Sequence, residues 1–92
     1  MYYLGKRKTT YDDSYRYSIY TENTLAHSIS KSIKTAYSSY IENNFNINDM
    51  QGRNWKFDLI TKSMYEDDII YECILEFESL ETFKDDYPEY FI

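Results

Sequence analysis

The chain is poor in the residues from which most active sites are built, with one histidine, one cysteine, one proline and two glycines in 92 positions. His27 has no cysteine or second histidine at ligand spacing, which excludes a zinc site and leaves it as a surface or boundary residue. Serines are plentiful, but a single histidine sets no spacing for a nucleophile and its base. Gly5 and Gly52 sit in neither a Walker nor a dinucleotide pattern, so no phosphate-cradling loop is encoded. Cys73 cannot close an internal disulfide and lies in an apolar run, as a small core hydrophobe in a reducing compartment does. No apolar run is long enough to span a bilayer. The opening "MYYLGKRKTT" lacks the apolar centre of a secretory signal, so the expected location is cytoplasmic. Asp58 and the glutamates of residues 72 to 78 could in principle share a divalent cation, but a metal nuclease also wants a lysine beside such acids, and "ECI" after Glu72 supplies none. The expectation is a protein with no catalytic residues, no cofactor and no metal.

Aromatic residues are abundant, with twelve tyrosines and five phenylalanines. A tyrosine buries its ring while keeping a polar tip for water or a partner, and it suits both a small core and an interface. The length fits one domain, residues 1–92, with a modest core. Charge is divided unevenly. Up to Asn48 there are six basic residues against four acids, and from Asp49 onward four against twelve, giving −6 overall. Ten of those twelve acids follow Met64, where Lys84 is the only base. Such a field repels phosphates and draws in basic surfaces, so direct nucleic acid binding is not expected. The Lys6-Arg7-Lys8 cluster reads as a solvated strand end that blunts a sheet edge.

"YYLGKRK" and "YRYSIY", separated by the turn-rich "TTYDDS", predict an N-terminal hairpin. Leu25, Ile29, Ile33, Ala36/Tyr37 and Tyr40/Ile41 recur at helical spacing, predicting one amphipathic helix capped at Thr21 or Asn23 and ended at Asn43-Asn44. "WKFDLIT" alternates as a strand, and "KSMYEDD" reads as a polar connection. Next, Ile69, Tyr71, Cys73, Leu75 and Phe77 fall on one face of a strand, toward the helix, with Ile70, Glu72, Ile74, Glu76 and Glu78 on the other. The tail can start a short helix at Ser79 before Pro88 stops it. The expected fold is α+β: a small antiparallel sheet in ββαββ order, one helix on one face, the other face exposed, and a short helical or irregular tail.

The acidic strand is the informative feature. Alternate side chains on one face stand about 6.7 Å apart, close to two base steps of about 3.4 Å along a DNA strand. Glu72, Glu76 and Glu78 would form a row, with Glu66, Asp67 and Asp68 at one end and Glu81, Asp85, Asp86 and Glu89 at the other. Ile70 and Ile74 lie among these acids and would add desolvated contacts. The plentiful Asn, Lys, Ile and Tyr, all with AT-rich codons, suggest an AT-rich genome such as that of a low-GC bacterium or its phage. In composition and expected topology the chain resembles the small acidic anti-defence inhibitors of phages, anti-CRISPR proteins in particular. That resemblance implies a stoichiometric inhibitor, as monomer or homodimer, that fills a basic nucleic-acid-binding cleft of a host nuclease complex and acts as a DNA mimic. An antitoxin or immunity protein that neutralises a basic nuclease toxin by the same electrostatics is the alternative.

Overall fold

The computed structural model describes residues 1–24, 29–43 and 54–92. The strands β1 (Tyr2–Lys8) and β2 (Tyr15–Thr21) form the expected hairpin, pairing Tyr2 with Thr21 and Lys8 with Tyr15. Its loop is closed by Asp12, whose carboxylate accepts hydrogen bonds from the Thr9 and Ser14 hydroxyls and the Ser14 amide.

The helix α1 (Ile33–Asn43) is shorter than its periodicity predicts. Ser30 instead pairs with Tyr17 through two backbone hydrogen bonds of 2.7 and 3.0 Å, adding a bridge to the outer edge of β2. The serines of this stretch are mediocre helix formers, and the bridge offers their backbone an alternative partner. The cap is Ser32, whose hydroxyl accepts the Thr35 amide at 3.1 Å, rather than Thr21 or Asn23. Ala36, Tyr37 and Tyr40 form the buried face, while Ile29 and Ile41 are exposed. Leu25, His27, Asn44 and Gly52 lie outside the described residues.

Beyond α1 come β3 (Trp55–Asp58), β4 (Ser63–Glu66) and β5 (Ile69–Phe77), then α2 (Leu80–Asp86) and a 3-10 turn over Pro88–Phe91. The segment expected as a polar connection is thus the strand β4. Its single large apolar residue, Met64, is fully buried between Phe57 and Tyr71 in the ladder, and that burial outweighs the polar composition. Asp67, with φ of 52°, makes the reversal into β5, a conformation that Asp tolerates better than most residues. The sheet has five antiparallel strands in the order β2-β1-β5-β4-β3, so the fold is α+β with β5 at its centre.

Within the β1–β5 ladder the register slips: Leu4 pairs with Leu75, but Gly5 pairs with Cys73. Ile74 is the extra residue, a β-bulge. Neighbours on β1 point to opposite faces, so their partners on β5 must do so as well. Leu75 and Phe77 therefore join Leu4, Ile19, Tyr37, Tyr40 and Phe83 beneath the helices. Tyr71, Cys73 and Ile69 join Tyr3, Tyr20, Met64, Trp55 and Phe57 on the other side. The expectation that Tyr71 and Cys73 point toward the helix is overturned by this one-residue slip.

The second face is not left exposed either. Flat, β1 and β3 would stand about 14 Å apart, three strand spacings. Yet the rings of Tyr3 and Phe57 have centroids only 5.0 Å apart, and Tyr20, one strand farther, reaches Phe57 at 6.2 Å. The sheet curls until the β3–β4 hairpin closes over β1 and β2, and the Tyr20 hydroxyl donates to the Lys62 carbonyl at 2.7 Å. Gly5 makes this approach possible, because a Cβ there would sit 2.7 Å from the Tyr20 ring and 3.0 Å from the Tyr71 Cβ.

The tail behaves as its sequence predicts. Ser79 and Thr82 form a reciprocal capping box. Phe83 is fully buried, stacked on Phe77 at 4.4 Å, and Tyr87, Tyr90 and Phe91 surround it. The Tyr37 hydroxyl donates to the Leu80 carbonyl at 3.0 Å and ties α1 to α2.

Candidate functional site

The twelve residues singled out from the sequence separate into three places. Glu66, Asp67, Asp68, Ile70 and Glu72 lie at the end of the sheet where β4 turns into β5. That end also carries the basic residues of the first hairpin. Glu72 lies across the ladder from Lys6, whose ammonium sits 4.7 Å above the Tyr15 ring. Asp68 and Ile70 share a cleft of about 340 Å³ with Arg7 and Lys8. The negative charge expected here is thus interleaved with positive charge.

Ile74 and Glu76 mark the second place. Glu76 pairs with Tyr3, so it projects from the curled face, opposite to Glu72, which shares the helix-bearing face with Lys6 and Leu4. Lys62 donates to both Glu76 carboxylate oxygens at 2.7 Å. A row of Glu72, Glu76 and Glu78 along one face does not exist, because the bulge at Ile74 sends Glu72 and Glu76 to opposite sides.

The third place is the C-terminal cap made of α2 and the 3-10 turn, with Glu78 at the junction between β5 and α2. Glu78, Glu81, Asp85, Asp86 and Glu89 are all exposed there. Among the described residues none of the five is in an ion pair, and the sole base, Lys84, rests 5.9 Å over the Phe91 ring. Glu81 complements the first turn of α2, but Asp85 and Asp86 occupy its last turn, where a carboxylate opposes the helix dipole. Helix stability therefore does not account for them. The cap is held rigid from beneath by Phe83 and Phe77, a firm base for a charged surface.

Buried hydroxyls mark the curled core. Burial pushes the Tyr71 phenol up to about 12, and among the described residues that hydroxyl has no hydrogen-bond partner, nor has the buried Nε of Arg7, whose guanidinium lies 5.9 Å from the Tyr71 ring. Burial likewise raises Tyr20 and the Cys73 thiol, which donates weakly to the Leu75 carbonyl at 3.4 Å. A thiol raised by burial is poorly suited to nucleophilic work. Among the described residues no three of His, Cys, Asp and Glu converge as a metal site would require, and no helix is long and apolar enough to cross a membrane.

Comparison with known proteins adds no relative: no family model, curated protein or solved structure matches the chain. Sequence reasoning missed Lys62 as the partner of Glu76, and the neutralising position of Lys6 opposite Glu72. The only sequence sign of either was Gly5, a glycine inside a strand, which often marks a bulge or a close backbone approach.

Proposed function

We propose that the protein is a non-enzymatic, stoichiometric inhibitor of the anti-defence type, acting in the host cytoplasm by seating its acidic C-terminal cap in a basic nucleic-acid-binding cleft of a nuclease complex. One observation carries this reading: four exposed carboxylates on α2 and the following turn, with Glu78 just before them and a single lysine among the five, on a cap anchored by stacked aromatic rings. A helical cap mimics phosphates less regularly than a strand would, so the interaction rests on clustered charge and steering rather than on a copied backbone spacing. Ile70 stands roughly 20 Å along β5 from Phe77, outside the cap, and is not part of this contact.

Capture from a host lysate by the immobilised protein, with mass spectrometry, identifies the target. Affinity for it is then compared between the wild type and a variant with Glu81→Gln, Asp85→Asn, Asp86→Asn and Glu89→Gln. The expected partner is a basic nucleic-acid-binding protein whose association slows with salt and weakens in the cap variant. A partner bound equally well by that variant rules the reading out.

A further inference from the structure

The two edges of the sheet are unequal. The outer edge of β2 carries the Ser30 bridge, whereas among the described residues nothing pairs with the outer edge of β3. Such an edge invites strand addition unless proline, a bulge or unmatched charge blocks it. The sequence of β3, Trp-Lys-Phe-Asp, has no proline, and its two charges are of opposite sign and two residues apart, hence on one face. Beyond it, Leu59 and Ile60 are 74% and 93% exposed, and they flank a cleft of about 500 Å³ with Lys56, Phe57, Asp58 and Tyr65.

We propose that β3 is the seam of a homodimer, in which two copies of the chain pair β3 to β3 antiparallel about a two-fold axis at Phe57. Charge complementarity selects both the occupant and the register. With the axis at Phe57, Lys56 of each copy lies opposite Asp58 of the other, so the pairing is satisfied twice by symmetry. Moving the axis to Lys56 sets lysine against lysine, and moving it to Asp58 sets aspartate against aspartate. The Phe57 register also brings Trp55 alongside Leu59 of the second copy and covers part of the exposed turn. Lys56 is exposed and in no ion pair among the described residues, so it is free to serve. Asp58 uses Oδ1 to accept the Ile60 and Thr61 amides at 2.8 and 3.1 Å, which leaves its second oxygen for the partner. The product is a continuous ten-stranded sheet, twice the five of one copy.

Sedimentation equilibrium at low and physiological salt tests the seam. The wild type is expected at twice the 11.2 kDa chain mass. Lys56→Glu, an exposed change whose folding is checked by circular dichroism, should raise the dissociation constant at least about tenfold by opposing Asp58. Adding Asp58→Asn to that variant keeps the oxygen that closes the turn, removes the repulsion, and should recover part of the loss. A single-chain mass up to about 1 mM overturns the proposal. So does a dimer indifferent to Lys56→Glu, or one that the added Asp58→Asn fails to strengthen.

Discussion

Cys73 and Leu75 stand two positions apart on one strand yet enter different cores, one beneath the curled hairpin and one beneath the helices. Ordinary strand alternation would give both the same neighbours, and the single unpaired residue between them, Ile74, separates them. Deleting Ile74 should thus invert one half of β5, moving either Leu75 and Phe77 or Tyr71 and Cys73 out of their cores. The expected result is loss of the folded state. Ile74→Ala, at a residue 40% exposed, should cost under about 1 kcal/mol in chemical denaturation. A deletion variant that melts like its parent would falsify the face switch.

Gly5 tests the closeness of the curl. Gly5→Ala places a methyl 2.7 Å from the Tyr20 ring and 3.0 Å from the Tyr71 Cβ, where two buried neighbours must both shift. The expected cost is about 1–3 kcal/mol, the usual range for overpacking, and thermal unfolding measures it. A neutral substitution would show that the two rings stand farther from β1 than described.

Two tyrosines of the same core should answer a single deletion of oxygen differently. Tyr20 donates to the Lys62 carbonyl and closes the hairpin over the sheet, so Tyr20→Phe should destabilise by about 1 kcal/mol. Tyr71 carries a buried hydroxyl without a partner among the described residues, so Tyr71→Phe should be neutral or stabilising. Equal losses in both variants, read from denaturant midpoints, would contradict the hydrogen-bond assignment.

The charged groups offer a third contrast. Glu76→Gln breaks its pair with Lys62, a partly exposed contact worth about 0–1 kcal/mol, and should leave partner affinity unchanged. Neutralising Asp85 and Asp86 should hold or slightly raise the melting temperature, since both oppose the α2 dipole, while partner association slows. Melting curves and association rates on the same two variants separate structural from recruiting carboxylates.

Asp12 predicts a feature of the acid limb. Hydrogen bonds from Ser14, then Thr9, hold its carboxyl down to about 2, below the ordinary 3.8. A folded-state value lower than the unfolded one means stability that is complete above pH 3.8 and lost as the pH falls toward 2. Asp12→Asn should therefore show a shallower decline of melting temperature across that window than the wild type. Parallel declines would mean that the loop hydrogen bonds do not favour the ionised form.

The first hairpin, the α+β class, the C-terminal helix at Ser79 and the stop at Pro88 were legible because each rests on local signals: alternation, capping and a turn former. The start of α1 was misread because Ile29 continues the helical period, while the competing bridge to Tyr17 comes from a segment distant in sequence. β4 was missed because four residues with one buried apolar side chain, Met64, carry little pattern of their own. The acidic row failed for a related reason. Alternation along β5 was read correctly on either side of Ile74, but the phase break there depends on the register with β1, which nothing in β5 itself records.

The central strand β5 pairs with β1, the first strand of the described chain, and their ladder joins Tyr2 to Phe77. During synthesis the first hairpin emerges early and then waits with one side of β1 unpaired until residues 69–77 follow. Contacts so remote in sequence make for slow folding, and the waiting strand offers backbone donors and acceptors to any other nascent chain nearby. Yield in recombinant expression should accordingly depend on temperature and on chaperone supply more than the finished fold's stability suggests.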